Sequence, residues 1–205
     1  MRRGLQVYQE NCSACHSLNY ITYQDLSALN YNQDEPNKRL PTPFLNQDVA
    51  KEANNGIIPP DLSLIARARA IPRPFPALIS DIFTNYTTEG ADYIASLLTG
   101  YNQIPPAGLK LPENTWYNPY YSNGPAFAMP PPLNDGDITY NDGTSETVQN
   151  YARDVAAFLM WTADPYLEKR KKTGFRVLLF LIVLSLLAYL IKRDIWKNNL
   201  HNDIH

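Results

Sequence analysis

Asn11-Cys12-Ser13-Ala14-Cys15-His16-Ser17 contains both cysteines of the chain and one of its three histidines. Cys12 to His16 follow the C-x-x-C-H pattern, which is typical of covalent attachment to a c-type haem. Two thiols at this spacing can each bond one vinyl group of a single porphyrin, and the next residue then offers an imidazole to the iron. We therefore predict one covalently attached haem c, with Cys12 and Cys15 as attachment points and His16 as an axial ligand.

Three other interpretations of the cysteine pair are weaker. A thioredoxin-like redox pair opens a helix after a strand, and the segment before Cys12 leaves no room for that strand. A zinc site would need a second C-x-x-C or an H-x-x-x-H, and the sequence has neither. A structural disulfide between Cys12 and Cys15 is possible, although it would close only a very small loop.

A haem iron in this setting also takes a second axial ligand, and methionine is the first candidate. The chain has three methionines, of which Met1 is terminal. Met160 lies in an amphipathic helical pattern, where methionine usually fills the core. Met129 lies in a proline-rich stretch that can hold a sulfur atom in place, so we favour Met129. His201 and His205 are poor candidates because they lie beyond a long apolar run.

That apolar run, VLLFLIVLSLLAYLI at residues 177–191, has fifteen residues without a charge. With residues 174–176 it reaches about eighteen residues, which is just enough to span a bilayer. Lys and Arg residues lie before it at 169–172 and after it at 192, 193 and 197. We predict a transmembrane helix at about 174–191.

The charged residues are also distributed unevenly on the two sides of residue 168. Residues 1–168 contain 10 basic and 18 acidic residues, a net charge of −8, whereas residues 169–205 contain 8 and 2, a net charge of +6. We predict a haem c domain at 1–168 and, at 169–205, a basic collar, the transmembrane helix and a short tail. No nucleic-acid partner is expected.

Two helices should cross within the predicted haem domain. Periodicity predicts an amphipathic helix at 3–16 that ends at the cysteine motif. A second helix is predicted at about 148–162, capped by Ser145 or Thr147, with an apolar stripe at i, i+4, i+7 and i+8. Gly4 has no side chain, so we expect the two helices to approach each other closely there.

Turn signals bound three shorter predicted helices, at 48–54, 64–70 and 93–99. Asp61 or Ser63 is expected to cap the second, and Gly100 to close the third. Residues 101–134 are rich in proline and show almost no regular period. They should form a long structured loop, and long loops in compact domains usually serve a function.

Ten short motifs occur in a fixed order along the chain. They are Arg2-Arg3-Gly4-x-x-Val7-Tyr8, Cys12 to Ser17, Asn54-Asn55-Gly56, Pro59 to Ser63, Leu97 to Tyr101, Pro105 to Gly108, Tyr117 to Tyr120, Ala128-Met129, Asp142-Gly143-Thr144 and Arg153 to Trp161. On these residues the chain resembles the cytochrome c1 family, the membrane-anchored haem subunits of ubiquinol:cytochrome c oxidoreductase (bc1) complexes. Residues 71–91 are longer than in the mitochondrial members.

The resemblance implies a mainly α fold: a class I c-type cytochrome domain with long structured loops, plus one C-terminal transmembrane helix. It implies axial ligation of the haem iron by His16 and Met129, and attachment through both cysteines. It also implies that Arg69 pairs with a haem propionate and that Pro59 and Pro60 form pocket walls. From the residues alone, Arg69 reads equally well as a solvated surface arginine.

The function implied is transfer of single electrons from the Rieske iron-sulfur protein to a soluble cytochrome c; alone, the chain would carry out no bond chemistry. The implied partners are cytochrome b, the Rieske protein, a soluble or anchored cytochrome c and membrane lipid, in a dimeric inner-membrane complex. The haem domain would face the periplasm or intermembrane space and the C-terminus the cytoplasm or matrix. The alternatives are a haem peroxidase and a tethered electron donor for a terminal oxidase or reductase.

Overall fold

A computed structural model describes residues 1–31, 34–70, 75 and 89–202. The described residues are mainly helical, as predicted, and the chain divides into two compact units, residues 1–165 and 166–205. Apart from Phe75 and residues 89–91, the longer 71–91 segment lies outside the described residues.

The elements of the described residues follow in chain order. The α-helices are α1 (Arg2–Val7), α2 (Tyr23–Leu26), α3 (Gln47–Ala53), α4 (Ile65–Ala68), α5 (Glu89–Thr99), α6 (Val148–Thr162) and α7 (Leu167–Asn202). A π-helical turn covers Tyr8–Cys12, and 3₁₀ turns cover Ser27–Leu29 and Gly100–Asn102. Strands β1 (Trp116–Tyr117) and β2 (Ala126–Phe127) pair antiparallel.

Helices α1 and α6 cross at Gly4, as predicted. Gly4 is buried, and a Cβ atom built on it would overlap the carbonyl oxygen of Asp154 and lie 2.6 Å from Cβ of Phe158. Only a residue without a side chain lets the two backbones come this close.

The bounds, cap and buried face of α6 agree with the sequence prediction. Thr147 is the N-cap, and its hydroxyl accepts the Asn150 N–H at 3.4 Å. The apolar stripe is buried as expected, at Tyr151, Val155, Phe158 and Leu159. The helix therefore offers one continuous apolar face to the core of the first unit.

The predicted helix over residues 3–16 is wrong in its second half. Regular α-helix ends at Val7, and a wider π-helical turn follows, in which Ser13 N–H donates to the carbonyl of Tyr8 at 2.8 Å. The haem motif then forms a last turn in which the His16 N–H donates to the carbonyl of Cys12 at 2.9 Å.

Further predicted helix ends and caps are also corrected, and α5 begins at Glu89 rather than at Tyr93. Helix α4 begins at Ile65 after Leu64, and neither Asp61 nor Ser63 caps it. Gly100 does not close α5 but begins a 3₁₀ turn. Its physical role is close approach, because a Cβ there would lie 2.5 Å from Oδ1 of Asn118.

The second unit is dominated by α7, which extends beyond the predicted span of 174–191 at both ends. Its stretch Leu167–Lys197 is the one helical segment in the described part of the chain that is long and apolar enough to cross a membrane. The basic collar at 169–172 is helical as well.

Candidate haem site

The two cysteines of the motif lie on one turn but in different surroundings. Cys12 is half-buried against the core and Cys15 is exposed, and both are free thiols. Before attachment, burial raises the pKa of the Cys12 thiol to about 12. Thioether attachment of one haem requires two cysteines at this spacing.

His16 is oriented by the main chain. Its Nδ1 atom lies 2.7 Å from the carbonyl oxygen of Pro60. A carbonyl oxygen can only accept a hydrogen bond, so Nδ1 carries the proton and Nε2 keeps its lone pair. Burial lowers the pKa of His16, with the bond to Pro60 acting in the opposite direction. A neutral imidazole with one nitrogen fixed by an acceptor is the form that ligates a metal.

The two predicted wall residues differ in exposure, since Pro59 is half-buried and Pro60 exposed. The contact that links Pro60 to the motif is made by its carbonyl oxygen, which a sequence pattern does not reveal.

The loop that carries Met129 is bonded to the haem motif. The Asn11 side-chain amide, one residue before Cys12, donates to the carbonyl of Pro132 at 3.1 Å. The Tyr101 hydroxyl donates to the carbonyl of Met129 itself at 2.8 Å. Met129 is half-buried and packs against the core. The loop that carries Met129 and the segment that ends in His16 are therefore hydrogen-bonded neighbours.

Met160 is also half-buried and packs against the same core from α6. Within the described residues, no hydrogen bond links the chain around Met160 to the segment 11–16. Both methionines are therefore half-buried against the core, and the choice of Met129 as ligand stays a prediction.

A buried asparagine that sequence reasoning did not single out fixes the hairpin before Met129. Asn118 is fully buried, and its amide donates to the carbonyl of Leu97 in α5 at 2.7 Å. Its side-chain oxygen accepts the Tyr120 N–H at 3.1 Å, and its own N–H donates to the carbonyl of Pro125 at 2.9 Å. The only sequence signal was its place in one of the ten motifs.

Arg67 in α4 and Arg69 directly after the helix differ in their ion pairing. Arg67 forms an ion pair of 2.7 Å with Asp164, whose side chain is only 7% exposed. Arg69 is exposed and has no ion pair with a carboxylate in the described residues. Of the two, Arg69 is the guanidinium available to an anionic ligand, which agrees with its predicted pairing to a haem propionate without testing it.

Asp61 has a different role from the helix cap that its position suggested. Its carboxylate accepts hydrogen bonds from Ser17 and Asn19, just after the haem motif, and from Ser63. The sequence did not reveal these partners, because two of them are more than 40 residues away along the chain.

The residues present fit a covalently bound haem better than a metal ion alone. No group of three or more His, Cys, Asp or Glu side chains that could hold a metal ion occurs in the described residues. The donors that the site does offer are two thiols, a neutral imidazole, a half-buried thioether and an exposed guanidinium. This set matches attachment, axial ligation and propionate binding of a single haem.

Known proteins resemble this chain over nearly its whole length. It is 40% identical to cytochrome b/c1 of Bradyrhizobium diazoefficiens over 97% of this chain and 33% of that protein. It is 39% identical to cytochrome c1 of Blastochloris viridis over 96% of this chain and 80% of that protein. It is 36% identical to "Cytochrome c1, heme protein, mitochondrial" of Saccharomyces cerevisiae over 96% of this chain and 66% of that protein.

The chain thus spans a third of the length of the Bradyrhizobium protein and four fifths of the Blastochloris protein. The family model described as the cytochrome C1 family matches residues 1–39 and 33–199, which include the haem motif, the Met129 loop and most of α7. The resemblance predicted from the sequence is confirmed, and this chain belongs to the cytochrome c1 family.

Proposed function

We propose that this chain is the haem c subunit of a cytochrome bc1 complex and carries single electrons from the Rieske iron-sulfur protein to a soluble cytochrome c. Family membership confirms the predicted covalent haem c and a role in electron transport. The observation that carries the proposal is the hydrogen bond of His16 Nδ1 to the Pro60 carbonyl, which leaves Nε2 of this motif histidine as the free ligand atom.

Haem, when bound, supplies reversible one-electron chemistry at its iron. The chain would hold it through thioether bonds at Cys12 and Cys15 and through axial ligation by His16 and Met129. The protein's own part is then to bind and orient the group and to set its potential. Two protein side chains on the iron would leave no ligand position open for peroxide, which favours electron transfer over a peroxidase.

The names of the relatives support the proposed partners. The Bradyrhizobium protein is named cytochrome b/c1, and a relative in Candida albicans, 39% identical, is named "Cytochrome b-c1 complex catalytic subunit, mitochondrial". We infer that this chain likewise assembles with cytochrome b and the Rieske protein in a dimeric complex.

The apolar helix α7 and the membrane-complex relatives fit a single-pass protein of an inner membrane. Covalent haem attachment is completed outside the cytoplasm or matrix, so residues 1–168 would lie in the periplasm or intermembrane space. The basic collar before α7's apolar run does not contradict this orientation, because long domains translocate largely regardless of charge. Cleavage of a tag placed after His205 by protease added from the haem side would refute the orientation.

The proposed function is tested with the purified full-length chain and two methionine variants. A haemochrome assay should find one haem c per chain. Met129→Leu should keep the haem, since attachment depends on the cysteines, but should lower the midpoint potential steeply, because a thioether ligand raises it. Met160→Leu is the matched control and should leave spectrum and midpoint unchanged. The reverse pattern would mean that Met160 is the ligand.

Copurification decides between the complex and a tethered cytochrome. A bc1 subunit should be recovered from solubilised membranes together with a haem b protein. If tagged chain is recovered without haem b while its own haem is intact, the electron donor for a terminal oxidase or reductase becomes the better assignment.

A further inference from the structure

The carboxylate of Asp61 joins two segments that are distant in sequence. Its Oδ2 accepts the Ser17 hydroxyl and the Asn19 N–H, both at 2.8 Å, and its Oδ1 accepts the Ser63 N–H at 2.9 Å. One side chain therefore binds the residue directly after His16 and a residue in its own segment. Both oxygens of the carboxylate are used, so a group with a single acceptor oxygen cannot replace it fully.

Two further hydrogen bonds run between the same segments. The Leu62 N–H donates to the carbonyl of Ser17 at 2.9 Å. The Tyr20 N–H donates at 3.1 Å to the hydroxyl of Ser63, which is fully buried. Residues 17–20 and 61–63 are thus held together by side-chain and main-chain bonds at once, and Asp61 contributes more of them than any other side chain in this contact.

The hydrogen bond between His16 and Pro60 lies directly beside this contact. His16 directly precedes Ser17, and Pro60 directly precedes Asp61, yet the two bonded residues are 44 positions apart in sequence. Closing a connection of that length costs conformational entropy, so the 2.7 Å bond needs neighbours that keep its partners in register. Neither ring supplies that support alone, because Pro60 is exposed and His16 only half-buried.

We propose that Asp61 is a positioning residue for the axial histidine: by binding Ser17, Asn19 and Ser63 it holds the Pro60 carbonyl against Nδ1 of His16. This inference rests on the proposed function, in which His16 ligates the haem iron. Asp61 makes no hydrogen bond to His16 within the described residues, although its charge acts on the imidazole directly; it positions the ring through the main chain on both sides of the bond. The competing interpretation is a local turn, in which the carboxylate stabilises residues 61–63 only.

The two interpretations differ in what happens to the histidine proton. If Asp61 holds the Pro60 carbonyl in place, its loss lets the His16–Pro60 bond open more often, and the Nδ1 proton exchanges faster with solvent. The imidazole also becomes a weaker electron donor, which raises the midpoint potential. Loss of a nearby negative charge raises the midpoint as well, so the potential alone does not distinguish position from charge.

The test compares Asp61→Asn and Ser17→Ala with the wild type in the purified, reduced haem protein. Asp61→Asn keeps the size of the side chain but only one acceptor oxygen. Ser17→Ala keeps the charge and removes one of the bonds to Asp61. Asp48→Asn, on the exposed surface of α3, is the charge control. Exchange of the His16 Nδ1 proton is followed by NMR, and the midpoint by redox titration.

We expect Nδ1 exchange to be about tenfold faster in Asp61→Asn, the change expected when one hydrogen bond no longer opposes opening. Ser17→Ala should accelerate exchange in the same direction by a smaller factor, and Asp48→Asn should leave it at the wild-type rate. The midpoint should rise in Asp61→Asn and, less, in Ser17→Ala.

An Asp61→Asn protein with wild-type Nδ1 exchange would overturn the inference, even if its midpoint rises, because charge alone would then explain the shift. If Asp61→Asn does not accumulate with haem, Ser17→Ala decides by the same criterion. Failure of the proposed function looks different: the wild type itself would then lack haem c or show no slowly exchanging histidine proton.

Discussion

The crossing of α1 and α6 and the loops around the haem motif are stabilised by different kinds of contact. At the crossing, two backbones meet at Gly4, and eight of the fifteen residues of α6 are buried. Arg3 adds a bidentate ion pair with the carboxylate of Asp154, with N–O distances of 2.7 and 3.0 Å. These contacts are all made between residues of the chain itself.

The loops have little apolar core of their own. Between residues 101 and 134 only Asn118 and Leu133 are buried. Besides the short strand pair, these loops are held by separate hydrogen bonds from side chains to main-chain carbonyls, such as Tyr101 to Met129 and Asn11 to Pro132. We therefore expect most folding stability to reside in the crossing. Under the proposed function, the loops would position the axial ligands and gain apolar contact from haem.

The largest effect is expected from breaking the crossing. Gly4→Ala places a methyl group against the Asp154 carbonyl oxygen and Phe158, neither of which can move without shifting α6. We expect the free energy of unfolding to fall by about 3 kcal/mol, the upper part of the usual range for overpacking. Urea unfolding followed by helical circular dichroism measures it.

Gly174→Ala is the matched control, since this helical glycine has no atom within 4 Å of the added Cβ. It should unfold at the same urea concentration as the wild type or slightly higher, because alanine favours helix. Equal unfolding midpoints for Gly4→Ala and Gly174→Ala would show that the crossing is not closely packed at Gly4.

A smaller loss of stability is expected when Asn118, the one buried polar residue of the segment 101–134, is replaced. Asn118→Ala leaves the carbonyl of Leu97 and the N–H of Tyr120 without their partner. Unsatisfied buried groups cost roughly 1–3 kcal/mol, so we expect a loss of about 2 kcal/mol. Asn123→Ala, an exposed position in the same loop, should cost no more than about 0.5 kcal/mol. Similar losses in both variants would contradict the role given to Asn118.

Removing one loop hydrogen bond should cost less again. The Tyr101 hydroxyl donates to Met129 at 2.8 Å, and burial raises the pKa of Tyr101 above its usual range. Tyr101→Phe should therefore lower the free energy of unfolding by about 1 kcal/mol. The hydroxyl of exposed Tyr120 makes no hydrogen bond within the described residues, so Tyr120→Phe should be neutral. An unchanged free energy of unfolding in Tyr101→Phe would show that this hydrogen bond does not stabilise the loop.

The same contrast explains what could be predicted from sequence. The bounds of α6, its Thr147 cap and the Gly4 crossing were predictable because helical period, capping and the need for a small residue are local signals. The roles of Asp61 and Asn118 were not, because their partners lie 42 to 44 and 21 positions away. At Asp61 the local rule predicted a helix cap, and partners from a distant segment bind the carboxylate instead.

The smallest effect on stability is expected at Asp142, which forms an ion pair with Arg3 beside the crossing, and it should depend on pH. Hydrogen bonds from Thr144 and from Arg3 lower the pKa of Asp142 from 3.8 to about 2. A carboxylate whose pKa is lower in the folded state contributes stability above the unfolded pKa, and this contribution disappears as the pH falls through the folded value. Asp142→Asn should therefore destabilise the protein slightly at pH 6, and the difference should be much smaller near pH 2, where about half of the folded-state carboxylates are protonated. Because Asp142 is exposed, 1 M salt should shrink the difference at pH 6. Urea midpoints at both pH values measure it, and a difference that persists unchanged at pH 2 would mean that the Asp142 carboxylate is not the titrating group.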